Sequence, residues 1–230
     1  MPGVLVNTLA VIIGSLLGLS LRRGIPEKII RAVMTAIGLC TLYLGISSAL
    51  AGKNAIIAIV SLVLGAALGT HLDIDGAIRR LGDWVGRKLK KPEKPGKLIG
   101  EGFITASLLF CVGSMTIVGS LNAGLSNEYS MLFAKSVLDF ISSIMLSVSL
   151  GVGVLLSAAF VLIFQGAIVV LAQLLRPVLN STAIAEMSCV GGILILSVGL
   201  NLLNITKIKA ADLLPALVFA PLIVFLLAQL

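Results

Sequence analysis

One ammonium and one carboxylate stand in a stretch of this sequence that is otherwise apolar and hydroxylated. The segment KSVLDFISSIMLSVS, from Lys135 to Ser149, sets Lys135 and Asp139 four residues apart. Four residues place two side chains on one helix face, where opposite charges can pair. Charges at membrane depth cost roughly 2.5 to 3.5 kcal/mol each on insertion scales, so each needs a reason to be there. Two readings follow. In one, the pair is a neutralised tether with Lys135 snorkelling to the surface. In the other, Asp139 is a sodium or proton site, because a carboxylate among hydroxyls and free carbonyls suits a hard cation.

A sodium ion would need several oxygen donors. Ser142 and Ser143 follow Asp139 on the same helix, and Gly113, Ser114 and Thr116 sit in the phrase FCVGSMTIVGSLNAG, where Gly-Ser and Met-Thr can interrupt helical hydrogen bonding. Unwound backbone at membrane depth is tolerated only where protein buries it or water reaches it. Asn7, in the first apolar run, joins Lys135 in the candidate ion- or substrate-binding set, while Gln165 and other amides are expected to bond neighbouring helices. Glu186 lies just before Cys189 and the pair Gly191 and Gly192. It reads either as an outer gate or as a charge favoured by a helix N-terminus.

Little else could do chemistry. The chain has no HExxH, no GxSxG and no Walker loop, and Asp139 has no second acid at similar depth, so no enzyme is expected. His71, beside Asp73 and Asp75, is a weak metal signal. Cys40, Cys111 and Cys189 are an odd set without CxxC spacing and read as packing residues, so neither a disulfide framework nor a cofactor is expected.

The elements that must position these groups are helices in a bilayer. Of 230 residues, 58% are hydrophobic and 12% charged, where a soluble domain carries roughly 25% charge. A lipid core roughly 30 Å thick takes about 20 residues of helix to cross. The apolar runs number eight, at 3–21, 29–50, 54–71, 102–121, 131–151, 154–175, 183–204 and 210–229. With hydroxyls so dense, the fifth is not expected to face lipid. Alternating sides along eight spans gathers 14 of the 17 basic residues on one face, leaving Lys53, Lys135 and Arg176 elsewhere. The positive-inside rule makes that face cytoplasmic. The formal charge of +7 is thereby assigned to topology and anionic lipid, not to nucleic acid.

Four regions are expected: 1–76, three helices; 77–101, an interfacial amphipathic helix and linker; 102–176, a second three-helix unit; and 177–230, two further helices. In AIRRLGDWVGRKLKK, Ile78, Leu81, Val85 and Leu89 recur at helical spacing beside Trp84, with Lys and Arg on the other face. KPEKPGK then breaks the pattern. The first and second units share Gly-Ser-Leu and Gly-Leu-Ser, in IIGSLLGLS (12–20) and IVGSLNAGLS (117–126). An odd unit repeated in one chain enters the membrane the opposite way the second time. Inverted repeats of this kind are a signature of secondary transporters. Small residues at helix contacts can also produce such matches without ancestry.

The stretches PGVLVNTLAVIIGSLLG, GTHLDIDGAIRRLGDWV, FCVGSMTIVGSLNAG and AKSVLDFISSIMLS together resemble the bacterial inner-membrane proteins of domain-of-unknown-function family 554. That resemblance implies a multi-pass plasma-membrane protein and supplies no substrate. The sequence reading is therefore an all-α polytopic membrane protein with inverted three-helix repeats. Its expected function is a small secondary transporter, of the elevator kind, coupled to sodium or protons, with its basic linker in the cytoplasm. From its size a homodimer is expected. An ion channel and a non-transporting scaffold or sensor are the competing readings.

Overall fold

The computed structural model describes residues 1–22, 26–88, 95–176 and 178–229, so Arg23 and much of the KPEKPGK linker lie outside the described residues. Eleven helices are described: α1 (Pro2–Arg22), α2 (Glu27–Ala49), α3 (Ala55–His71), α4 (Ile74–Lys88), α5 (Pro95–Cys111), α6 (Ser114–Leu125), α7 (Ser130–Leu150), α8 (Val152–Val170), α9 (Ala172–Leu175), α10 (Ser181–Leu202) and α11 (Ala216–Leu227). A 3-10 turn, Ala210–Leu213, precedes α11. Helices satisfy every backbone group within the segment, which lipid demands.

Among the described residues six helical stretches are long and apolar enough to cross a membrane: α1, α2, α7, α8, α10 and the run Ala210–Leu227. The pair α5 and α6, bent by 59°, makes a seventh if it is one span. Contacts support that reading. Gly102 of α5 packs on Leu150 and Gly153 at one end of α8, and Gly124 of α6 packs on Val169 and Ala172 at the other. The eighth run expected, α3, has 17 residues, about 25 Å of helix, a little short of a lipid core roughly 30 Å thick. The count by length and composition is therefore six or seven.

Two helix groups share the molecule. In one, α1 lies along α7 and α8, α5 packs on α8, and α6 packs on α8 and α7. In the other, α2 lies along α10, and α11 packs between α10 and α3. Small residues set these approaches, as expected between membrane helices. A Cβ at Gly14 would come within 2.5 Å of the Phe140 carbonyl oxygen, and one at Gly18 within 2.8 Å of Ser147 Cβ, so α1 and α7 meet almost backbone to backbone.

The α7 helix corrects one expectation. Phe133, Val137, Leu138, Ile141 and Met145 all lie on the outer surface of the bundle. Lys135, Asp139, Ser143 and Ser147 repeat every fourth residue on the buried side. The polar groups form a stripe along one face, so their density does not keep the other face from lipid.

At the basic end, Asp73 takes a left-handed conformation (φ 49) and opens α4. Its carboxylate accepts a hydrogen bond from the Arg80 guanidinium at 2.8 Å, which holds it below the ordinary carboxylate range. Along α4, Ile78 packs against the core while Leu81 and Trp84 stay exposed.

Candidate functional site

Asp139 lies nine residues beyond Ser130, the start of α7, or about 14 Å along a helix of about 31 Å. It is therefore near mid-depth. Lys135 Nζ donates to Asp139 Oδ1 at 2.8 Å and to Oδ2 at 2.9 Å. Both residues are buried, with 6% of Lys135 and 4% of Asp139 exposed. The pairing read from the four-residue spacing is present, but Lys135 does not snorkel: its ammonium turns inward to the carboxylate.

The close approach of α1 brings Asn7 onto this pair. Asn7 Nδ2 donates to Asp139 Oδ2 at 3.0 Å and also to Gln165 Oε1 of α8 at 3.3 Å. Asn7 and Gln165 are fully buried. Four side chains from three helices thus form one chain, Lys135–Asp139–Asn7–Gln165. Asn7 Oδ1 and Gln165 Nε2 have no hydrogen-bond partner, leaving one acceptor and one donor group unspent inside the bundle. Gln165 is the residue that sequence reasoning left out of the site. It lies in an apolar run, and only its place opposite Asn7 distinguishes it.

The break between α5 and α6 is the second feature. Cys111 ends α5, and Gly113, extended at φ −66 and ψ 143, opens α6. Val112 N–H donates to the Leu108 carbonyl, and helical bonding resumes with Thr116 N–H donating to the Gly113 carbonyl. Thr116 Oγ, fully buried, donates to the Phe110 carbonyl at 2.8 Å and so covers a carbonyl freed by the break. A Cβ on Gly113 would meet nothing within 4 Å, so there is room beside the break. Both α5 and α6 pack on α7, which brings the break up to the helix that carries the pair.

The remaining sequence candidates are placed as follows. Ser143 donates to the Phe140 carbonyl at 2.8 Å and packs against Gly14, so its hydroxyl serves the α1 contact. Ser142 is half-buried. The backbone of Ser114 starts α6, and its side chain lies outside the described residues. Glu186 is fully buried, and its Oε1 accepts from the N–H groups of Lys53 at 2.7 Å and Asn54 at 2.9 Å. It therefore sits at a helix N-terminus, that of α3 and not of its own helix. No group of three metal-ligating side chains occurs among the described residues.

A cavity lies at the basic end. It is partly open, holds about 300 Å³ between α4, α5, α10 and the loop after α10, and has Asp75, Glu101, Thr105, Val198, Asn201 and Lys207 among its walls.

The family model described as "Protein of unknown function (DUF554)" matches residues 2–225. The chain is 35% identical over 231 residues to "Uncharacterized membrane protein YdfK" of Bacillus subtilis (strain 168), covering 99% of this chain and 97% of that protein. It is 31% identical over 223 residues to "Uncharacterized protein YqgA" of Escherichia coli (strain K12), covering 95% and 94%. No solved structure matches. With the family model spanning nearly all of its length, and a membrane protein of that family aligned from end to end, this chain belongs to the family described as Protein of unknown function (DUF554).

Proposed function

We propose that this protein is a small secondary transporter, not an enzyme, in which Asp139 carries the coupling proton and Lys135 holds the solute. The observation that carries this reading is the buried Lys135–Asp139 pair at mid-depth beside a broken helix. Ion pairs at that depth face the bundle interior and mark pathways and proton relays. Discontinuous helices at mid-depth form the solute sites of many transporters.

The step balances in charge. A proton arriving on Asp139 converts the carboxylate to a neutral acid and breaks the attraction to Lys135. The ammonium, still charged and still buried, then takes an anionic group of the solute as its new partner. One proton and one carboxylate enter together, and both leave when the carboxyl group returns its proton on the other side. Asp139 favours a proton over sodium because the Lys135 ammonium lies against both of its oxygens and would repel a metal cation coordinated there, whereas a proton neutralises the carboxylate covalently and needs no coordination shell.

The division into two helix groups supports movement of one against the other. The group of α1, α5, α6, α7 and α8 holds the site, and the group of α2, α3, α10 and α11 is the scaffold, as an elevator requires. The first three-helix unit read from sequence is divided between the two groups, since α1 packs on α7 of the second unit while α2 and α3 pack on α10 and α11, the two further helices. With the basic end in the cytoplasm, the protein resides in the bacterial inner membrane.

Thermal stability of the purified protein across a sodium series, with potassium as control, tests the coupling ion. The reading predicts no sodium-specific shift. A sodium-specific shift that disappears in Asp139→Asn would replace the proton with sodium.

A further inference from the structure

We propose that the cavity at the basic end is the cytoplasmic binding site for the solute, and that the solute is a small zwitterion bearing an ammonium and a carboxylate. This rests on the transporter reading above. The volume of about 300 Å³ is at the lower end of small-molecule sites, suited to a solute of a few heavy atoms.

The cavity lies where the two helix groups meet. Glu101, Ile104 and Thr105 of α5 form one wall, and Val198, Asn201 and Leu202 of α10 the other. A cleft between two groups that move apart is where access would open.

Side-chain bonds hold its walls in place. Asn201 Nδ2 donates to the Ile208 carbonyl at 2.7 Å, and its Oδ1 accepts from Thr206 Oγ at 2.8 Å and from Ile208 N–H at 2.9 Å. One amide thereby ties down the loop that roofs the cavity. Asp212, itself buried, accepts the Asp75 N–H at 2.8 Å and fixes the start of α4.

Both signs of charge line the cavity. Asp75 and Glu101 stand on α4 and α5, while Lys207 is on the exposed loop beyond α10. Asp75 and Glu101 both engage protein partners as well. A carboxylate has about four lone-pair positions, so it can accept from a ligand ammonium in addition. A solute with its ammonium toward the acids and its carboxylate toward Lys207 matches both walls. That same carboxylate is what Lys135 would receive deeper in the protein.

One face of α5 runs from the cavity toward the break. Glu101, Ile104, Thr105, Leu108, Cys111 and Val112 follow one face of α5 at three- and four-residue steps. From Thr105 to Val112 is about 10 Å of helix. Val112 packs against Gly191 of α10, and Leu108 and Leu194, both essentially unexposed, belong to the same core cluster. For a solute to pass along this face of α5, Leu108 and its buried apolar neighbours must part.

The test is thiol labelling in membrane vesicles. Thr105→Cys is placed in a protein with Cys40, Cys111 and Cys189 changed to Ala, with Val198→Cys on the opposite wall as a second reporter should the first fail to fold. Membrane-impermeant methanethiosulfonates should modify the cysteine in inside-out vesicles only. The ethylammonium reagent should react about tenfold faster than the ethylsulfonate reagent, and Glu101→Gln should narrow that ratio. L-alanine, L-serine or L-leucine should protect, while propionate and propylamine should not. Labelling from the outside, no preference for the cationic reagent, or equal protection by propionate would overturn the proposal. Protection without solute flux in proteoliposomes would keep the binding site and sink transport. Solute flux without protection would keep transport and sink this site.

Discussion

Removing one member of the buried pair should cost far more than removing both. In the structure Lys135 Nζ touches both carboxylate oxygens at 2.8 and 2.9 Å with about 5% of either residue exposed. At an effective dielectric near 20, unit charges roughly 3 Å apart attract by about 5 kcal/mol. Desolvating each ion costs several kcal/mol in return, so the pair nearly cancels while a single charge does not. Lys135→Met should therefore destabilise by about 3 to 5 kcal/mol, and so should Asp139→Leu. The double variant Lys135→Met with Asp139→Leu should lose less than either alone, within about 2 kcal/mol of the parent. Equilibrium unfolding in mixed micelles with increasing dodecyl sulfate, followed by circular dichroism, reads all four proteins. A double variant whose loss equals the sum of the singles would refute the reasoning, because the charges would then not be acting on each other.

Other expectations follow from single contacts. Gly14→Leu should force α1 from α7, cost about 3 kcal/mol by overpacking, and release Asn7 from Asp139, seen as faster amide exchange along both helices. Glu186→Ala should leave two N–H groups of the α3 N-terminus unpaired at a cost on the order of 3 kcal/mol, with exchange quickening at Lys53 and Asn54; Glu186→Gln should keep much of the protection. Thr116→Val should cost about 1 to 3 kcal/mol by exposing the Phe110 carbonyl in the break, measured by the same unfolding assay. Because the folded Asp73 carboxyl titrates below its unfolded value, its hold on α4 is full above the ordinary carboxylate range and is lost as pH falls through the folded value. Amide exchange at the start of α4 should accelerate in acid, and Arg80→Ala should move that acceleration to higher pH.

The parts legible in the sequence were those that depend on one helix. The four-residue step from Lys135 to Asp139 predicted their contact, and the Gly-Ser phrase marked the place where α5 gives way to α6. Burial of Lys135 was not legible, because whether an ammonium snorkels depends on what Asn7 and the end of α5 place around it. Gln165 was expected to bond a neighbouring helix, and it does, but its place in the site was not legible for the same reason: that comes from α8 crossing α1. Glu186 binds backbone 133 residues away, which no local pattern encodes. The exposed side of α7 could have been read from the fourfold spacing of its polar residues, which the count of hydroxyls alone did not show.

In the proposed mechanism, proton movement through Asp139 drives a solute held by Lys135. Solute-driven proton flux into proteoliposomes, followed by an internal pH dye in sodium-free buffer with a panel of amino acids, tests it most directly. The account predicts that at least one zwitterionic solute produces acidification, and that Asp139→Asn abolishes it while the protein remains folded by circular dichroism. Acidification that persists in Asp139→Asn, or solute flux that requires sodium and moves no protons, would contradict it.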